Sequence, residues 1–126
     1  MAGIYVHIPF CKQACHYCNF HFSINHASKD AFIEALLKEI ALRSDYLQNE
    51  EVNTIYFGGG TPSLLKAREI DQIIKAISRN FRIGSDLEVT LEVNPDDIVL
   101  QNCLFLKDLI SIGVNRVSIG IQSFNK

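Results

Sequence analysis

The stretch Gly3–Cys18, GIYVHIPFCKQACHYC, decides the fold and the chemistry of this chain, because a short apolar run leads directly into three cysteines. Cys11, Cys15 and Cys18 are spaced C-x3-C-x2-C, so one loop supplies three thiolates. Thiolates are the usual ligands of iron–sulfur clusters. Three of them can hold three corners of a cubane cluster and leave its fourth iron open to a small molecule. The spacing therefore predicts an open-iron cluster directly after a β-strand.

Two other interpretations of these cysteines stay open. Structural zinc usually takes four protein ligands in two separated pairs, and a second pair does not follow here. His16 or His21 could then be the fourth ligand of a zinc-binding structural domain. The cysteines could also be incidental thiols without a metal. Cys103 stands apart on a predicted helix, and we expect a buried free thiol there, since free cysteine is among the most buried residue types.

The composition is that of an ordinary globular domain. The 126 residues are 48% hydrophobic and 21% charged, which fits one domain. A net charge of -2 gives no reason to propose binding to nucleic acid or to a membrane surface. We find no signal peptide and no apolar run of the ~20 residues that a membrane span needs. We therefore expect a cytoplasmic protein, where clustered cysteines bind metal more often than they form disulfides.

Strand-like and helix-like segments alternate along the chain. Apolar residues at i, i+3, i+4 and i+7 indicate helices, and short β-branched runs indicate strands. The predicted strands are Gly3–Ile8, Asn53–Phe57, Asp86–Val93 and Asn115–Ile121, the predicted helices are Asp30–Tyr46, Ala67–Asn80 and Asp97–Ile112, and Pro9–Ala27 is a predicted loop. This pattern predicts an α/β fold with a parallel sheet and helices outside.

The number of predicted strands leaves two architectures open. A closed eight-stranded barrel takes ~250 residues, so the chain is either about half of such a barrel or a small open sheet. The last predicted strand, Asn115–Ile121, would present an uncovered edge, which is a pairing hazard. That edge favours the half-barrel.

Polar and glycine residues gather where the predicted strands end. The carboxyl ends of parallel strands meet at one edge of a sheet, where sites form. Gly58, Gly59 and Gly60 remove three Cβ atoms, so the backbone can bend sharply and approach a ligand; a plain tight turn is the alternative. Glu92 is costly to bury in an apolar strand unless it is paired, and it could accept hydrogen bonds from ribose hydroxyls. Gln122, at another strand end, is a candidate ligand contact or a surface turn residue.

Aromatic and imidazole side chains flank the cysteine loop. Tyr5, His7 and Tyr17 could pack over a ligand or over the cluster. For His7, which alternates with Tyr5 along the first strand, a hydrogen-bonded core histidine is an equally good interpretation. Glu88 should lie on the same face of its strand as Glu92 if that strand is regular.

With the cysteines and the glycine run placed, the chain resembles the radical S-adenosylmethionine (radical SAM) proteins. Within them it is similar to the group of oxygen-independent coproporphyrinogen III oxidases and HemW-like haem chaperones. The matching segments occur in the family's order and span the chain: IYVHIPFC at 4–11, GGGTPS at 58–63, LEVNP at 91–95 and GVNRVSIGIQSF at 113–124.

The resemblance implies a fold and a set of ligands. The fold would be the first four βα units of a partial TIM-like (β/α)6 barrel. Residues 1–126 would be the N-terminal half of the core domain, with the rest of the barrel and a C-terminal domain absent. The ligands of a [4Fe–4S] cluster would be Cys11, Cys15 and Cys18. The S-adenosylmethionine contacts would be Tyr5, Tyr17, Gly59, Gly60, Thr61, Glu92 and Gln122. An electron from the reduced cluster would cleave the sulfonium, giving methionine and a 5′-deoxyadenosyl radical that abstracts hydrogen.

One position separates two branches of this group. The dehydrogenases carry a further cysteine two positions after the third, and Phe20 stands there in this chain. Phe20 favours a HemW-like protein that binds or delivers haem in porphyrin metabolism, with a membrane-associated haem acceptor as a partner. The alternative is a coproporphyrinogen III dehydrogenase that performs radical oxidative decarboxylation. Haem or porphyrinogen would be held by the missing part, so we expect the fragment to be inactive alone and assign no catalytic residue.

Overall fold

The computed structural model describes residues 2–10, 26–60, 62, 65–93 and 105–119. One parallel sheet contains the four strands β1 (Ala2–Ile8), β2 (Val52–Gly59), β3 (Ile83–Val93) and β4 (Arg116–Ile119). Between them in sequence lie α1 (His26–Leu42), α2 (Ala67–Asn80) and the helical residues 105–111. The predicted α/β fold with a parallel sheet is confirmed.

The strands lie in the sheet in the order in which they occur along the chain, β1-β2-β3-β4. Crossovers between parallel strands are almost always right-handed, so a sheet whose crossovers all step in one direction receives its helices on one face. A doubly wound sheet reverses direction and is covered on both faces. The observed order is that of a barrel wall. In such a wall the helices cover one face of the sheet, and the other face points away from them.

An apolar core fills the space between the sheet and the helices. Ile8, Phe57 and Leu91 are fully buried on β1, β2 and β3. Burying such a side chain contributes roughly 1.5–3 kcal/mol, so this layer is the main source of folding free energy. The predicted helix faces are confirmed, because the core includes Ile33, Ile40, Ile70, Ile73, Ile74 and Ile77, with Leu36 and Leu37 packed against it. By contrast, β4 is the last strand in the sheet order, so within the described residues one of its edges is unpaired, as expected from the sequence. Its Val117 and Ile119 side chains are exposed.

The bounds of α2 are those predicted, whereas α1 is shifted. It begins at His26 rather than Asp30 and ends at Leu42 rather than Tyr46. From Ser44 onward the backbone N–H groups bond to carbonyls three residues back, as the Tyr46 N–H does to Arg43 at 2.9 Å and the Gln48 N–H to Asp45 at 3.1 Å. The apolar period continues, but these tighter turns replace the α-helical bonding.

Strand boundaries also differ from the prediction: β1 begins at Ala2 rather than Gly3, and β2 at Val52 rather than Asn53. β2 continues past Phe57 because Gly58 and Gly59 still pair with β1. β3 begins at Ile83, ahead of the predicted Asp86, because Ile83 pairs with β2 at Val52. β4 begins at Arg116, the first of its residues to pair with β3. The preceding Asn115 bonds to β3 through its backbone N–H, which donates to the carbonyl of Val89 at 3.0 Å, and through its side chain: its Oδ1 accepts the N–H of Val89 at 2.8 Å, and its Nδ2 donates to the carbonyl of Leu87 at 3.0 Å.

Two predicted ends fall beyond the described residues. The predicted start of the third helix at Asp97 and the predicted end of the last strand at Ile121 lie outside the described residues. Helical backbone is seen from 105 to 111, so Ile112 belongs to the turn that follows. Within the described ranges, we find no helix long and apolar enough to cross a membrane.

Candidate functional site

The face of the sheet turned away from the helices is polar. Side chains alternate along a strand, so Tyr5 and His7 lie on this face while Val6 and Ile8 enter the core. The strand register places Tyr56 of β2 beside Tyr5. The same face continues across β3 and β4 with Thr90, Glu92, Arg116 and Ser118. Polar and aromatic groups from all four strands therefore share one surface.

The carboxyl ends of β1 and β2 meet immediately before Cys11. The N–H of Gly60 donates to the carbonyl of Ile8 at 2.7 Å. A Cβ on Gly60 would overlap the carbonyl oxygen of Phe10 and lie 2.8 Å from its carbonyl carbon. Only glycine permits backbone to pack so closely on backbone. The glycine run thus contacts the residue that leads into the cysteine loop.

Gly59 meets a second constraint at the same edge. Its φ is +107°, a conformation that other residues rarely adopt. A Cβ there would lie 2.7 Å from both His7 Nδ1 and the carbonyl oxygen of Ile8. The turn after β2 therefore needs glycine at this position for its conformation and for space.

Glu92 is paired with a residue that sequence reasoning missed. The hydroxyl of Tyr56 donates to Glu92 Oε2 at 2.7 Å. The bond to the carboxylate raises the pKa of Tyr56 above its ordinary value, and a hydrogen bond with Ser118 opposes that shift. The phenol is therefore protonated at neutral pH and donates. The alternation of β2 could have revealed Tyr56, since the core residues Ile55 and Phe57 flank it.

Aromatic rings line the β1 side of this surface. The ring of Tyr5 stacks on that of Tyr56, with centroids 5.7 Å apart and planes 20° apart. The ring of His7 is 6.1 Å from that of Tyr5. Tyr5 is 57% exposed and His7 is exposed as well. The interpretation of His7 as a core histidine is therefore wrong, because strand alternation places it on the polar face.

Glu88, expected on the same face as Glu92, has a different partner. Arg116 Nη1 lies 2.8 Å from Glu88 Oε2, and this bond raises the pKa of Arg116. Glu88 thus faces a cation, whereas Glu92 faces a neutral phenol. The two carboxylates of β3 have distinct environments.

Of the predicted site residues, Tyr5, Gly59, Gly60 and Glu92 are placed at this edge and face. The others fall outside the described residues: Cys11, Cys15, Cys18, Tyr17, Thr61 and Gln122, together with His16, His21 and Cys103. Among the described residues, no group of three or more His, Cys, Asp or Glu side chains could hold a metal ion. The predicted metal ligands therefore rest on the sequence of the cysteine loop.

Comparison with known proteins gives the family. The model of the Radical SAM superfamily matches residues 5–126. The heme chaperone HemW of Buchnera aphidicola subsp. Acyrthosiphon pisum (strain APS) is 36% identical over 125 residues, which are 98% of this chain and 32% of that protein. The oxygen-independent coproporphyrinogen III oxidase of Escherichia coli (strain K12) is 35% identical over 126 residues, 98% of this chain and 27% of the enzyme.

A solved structure agrees with these relatives. Coproporphyrinogen III oxidase (HemN) from Escherichia coli, described as a radical SAM enzyme, superimposes with a TM-score of 0.80 at 34% identity. The match covers 98% of this chain and 28% of that one. The chain thus spans about a third or less of the length of the relatives it matches. The predicted partial fold is confirmed, and on the family model, the relatives and the fold together, the chain belongs to the Radical SAM superfamily.

Proposed function

We propose that this chain holds a [4Fe–4S] cluster on Cys11, Cys15 and Cys18 and binds S-adenosylmethionine beside it, as part of a HemW-like haem-binding protein. The observation that carries the proposal is the backbone contact between Gly60 and Phe10. Because of this contact, the backbone of Gly60, which has no side chain, lies against Phe10, the residue that precedes Cys11. A small molecule on an open iron would meet backbone there rather than side chains.

The described residues fit S-adenosylmethionine by their chemistry. Gly59 and Gly60 place backbone rather than side chains beside the start of the cysteine loop, and the amino acid moiety would bind against that backbone. The Glu92 carboxylate suits ribose hydroxyls, which need an acceptor. The exposed ring of Tyr5 offers an aromatic surface to a purine. Tyr17, Thr61 and Gln122 complete the proposed set of contacts.

Each proposed residue has a task that does not depend on a particular substrate. When bound, the reduced cluster supplies the electron that cleaves the sulfonium of S-adenosylmethionine. The three cysteines fix the cluster at the carboxyl edge of the sheet. The glycine run and Glu92 would orient the ligand beside it.

The haem-related part of the proposal rests on one residue and on the relatives. Phe20 occupies the position where the dehydrogenase branch carries a further cysteine. The nearly equal identities to HemW and to the oxidase keep coproporphyrinogen III dehydrogenase as the second candidate. We further propose that residues 1–126 are the N-terminal half of a cytoplasmic protein's core domain, and that haem or porphyrinogen contacts belong to the remaining length of the relatives.

Anaerobic reconstitution with iron and sulfide tests the cluster. We expect about four irons per chain and an EPR spectrum of the reduced protein that changes when S-adenosylmethionine is added. Cys15→Ala should abolish assembly, whereas Cys103→Ala, the matched control outside the motif, should not. Stoichiometric zinc in place of iron, or an intact cluster in Cys15→Ala, would contradict the ligand assignment.

Two further measurements separate the haem-binding function from the dehydrogenase. Haem titration of the full-length protein should shift the Soret band at micromolar protein. Anaerobic incubation of the full-length protein with coproporphyrinogen III, S-adenosylmethionine and a reductant should yield no protoporphyrinogen while an active control does. Product formation would favour the dehydrogenase, and an unshifted Soret band would count against haem binding.

A further inference from the structure

Tyr56 occupies a central place on the polar face. It lies on β2, an inner strand of the sheet, between β1 and β3. The register places Tyr5 on one side of it and Thr90 on the other. Tyr56 is not among the residues proposed above to contact S-adenosylmethionine. Its neighbours on the two flanking strands, however, include two that are.

Tyr56 contacts both of these residues through different parts of its side chain. Its ring stacks on the ring of Tyr5, with centroids 5.7 Å apart. Its hydroxyl donates to Glu92 Oε2 at 2.7 Å. One side chain therefore connects a proposed ligand contact on β1 with another on β3.

The glycine run makes room for this arrangement. A Cβ on Gly58 would lie 2.7 Å from Tyr5 Oη and 3.0 Å from Tyr56 Cε1. Real Cβ atoms essentially never come closer than 3.0 Å to another heavy atom, so the ring of Tyr5, stacked on Tyr56, occupies space that only a glycine leaves. The stacking of Tyr5 on Tyr56 therefore depends on a glycine at position 58, near the end of β2.

We propose that Tyr56 is a positioning residue, which holds the Glu92 carboxylate in the orientation that accepts the ribose hydroxyls of S-adenosylmethionine. This inference rests on the proposed function. A glutamate side chain on a polar surface samples several rotamers, and a short hydrogen bond to its charged oxygen selects one. A phenylalanine would keep the stacking on Tyr5 but would leave Glu92 unheld.

The test compares two ligands on the reconstituted chain. Dissociation constants are measured for S-adenosylmethionine and for its analogue without ribose hydroxyls, with Tyr56→Phe beside wild type. Tyr46→Phe is the matched control, because Tyr46 is exposed after the end of α1. We expect Tyr56→Phe to weaken S-adenosylmethionine about tenfold, equivalent to ~1.4 kcal/mol, and to leave the analogue unchanged. Tyr56→Phe should add nothing in a chain that also carries Glu92→Ala, since Glu92→Ala already removes the carboxylate that Tyr56 holds.

A readout without ligand checks the hydrogen bond itself. The difference in phenolate absorbance between wild type and Tyr56→Phe reports the ionisation of Tyr56. The groups that face it are Tyr5 from β1, Glu92 from β3, and Ser118 and Arg116 from β4. Glu92→Gln should move this ionisation to lower pH. An ionisation that does not respond to Glu92→Gln would overturn the proposal.

The binding outcomes distinguish this proposal from the proposed function. A wild-type chain that assembles its cluster but shows no response to S-adenosylmethionine overturns both. Wild-type binding that is unchanged in Tyr56→Phe overturns the positioning role alone. Equal weakening of both ligands also overturns it, because the ribose hydroxyls would then not be the groups that Tyr56 affects.

Discussion

Gly59 and Gly113 form a natural pair for measuring what close packing adds at the edge of the site. Their φ angles are nearly equal, +107° and +111°. They differ in their surroundings. A Cβ on Gly59 would lie 2.7 Å from the carbonyl oxygen of Ile8, whereas a Cβ on Gly113 would meet nothing within 4 Å. We therefore predict different costs for Gly59→Ala and Gly113→Ala.

The magnitudes follow from two separate terms. Placing alanine in this backbone region costs about 1–3 kcal/mol at either position. At Gly59 the new methyl group also overlaps backbone, which cannot rotate away, and overpacking of this kind adds about 1–3 kcal/mol. Gly59→Ala should thus lower the free energy of unfolding by about 2–6 kcal/mol, and Gly113→Ala by about 1–3 kcal/mol.

Urea unfolding followed by circular dichroism measures both losses. The slope of the free energy against urea should be the same for the two variants, since neither changes the surface exposed on unfolding. Equal losses would refute the reasoning, because backbone strain alone would then account for Gly59. A larger loss in Gly113→Ala would refute it as well.

The remaining predictions concern an ion pair, a pH dependence and a side chain that bonds to β3 just before β4 begins. Lys29 Nζ and Glu69 Oε1 are 3.3 Å apart with side chains 8% and 6% exposed, so Lys29→Met should cost about 3–5 kcal/mol in urea unfolding; a loss like that of a surface pair would contradict this. Because Glu92 raises the pKa of Tyr56 in the folded state, its stabilising effect should be fully present below pH ~10 and be lost as pH rises through the folded-state pKa. The stability difference between wild type and Glu92→Gln should therefore shrink at alkaline pH in unfolding titrations. Asn115→Ala should cost about 1–3 kcal/mol in thermal unfolding, since it removes two bonds to β3; an unchanged melting temperature would contradict it.

Sequence patterns predict a helix or strand well where residues close to one another along the chain determine it. The spacing of the isoleucines in α2 predicts its bounds, and the structure buries all of these isoleucines. The end of α1 was not predicted, because the apolar spacing continues beyond Leu42 while the backbone changes to tighter turns. The extension of β2 through Gly58 and Gly59 depends on pairing with β1, which no local pattern encodes.

The choice between a half-barrel and a small open sheet also needed the tertiary structure. Both architectures contain the same alternating strands and helices. In the observed order β1-β2-β3-β4, each crossover places the next strand on the same side of the strand before it. This is the strand order of a barrel wall, whereas a doubly wound sheet reverses direction. The same order explains the polar face, since helices that follow such crossovers cover the other side.

The sequence by itself determined the three-cysteine motif, the glycine run and the family, because these depend on residue type and spacing along the chain. Only the tertiary structure decided that Gly60 packs on Phe10, that His7 is exposed and that Tyr56 donates to Glu92. These contacts join residues on different strands, and the register between strands sets which side chains meet. Register follows from the packing of the whole sheet rather than from any one segment.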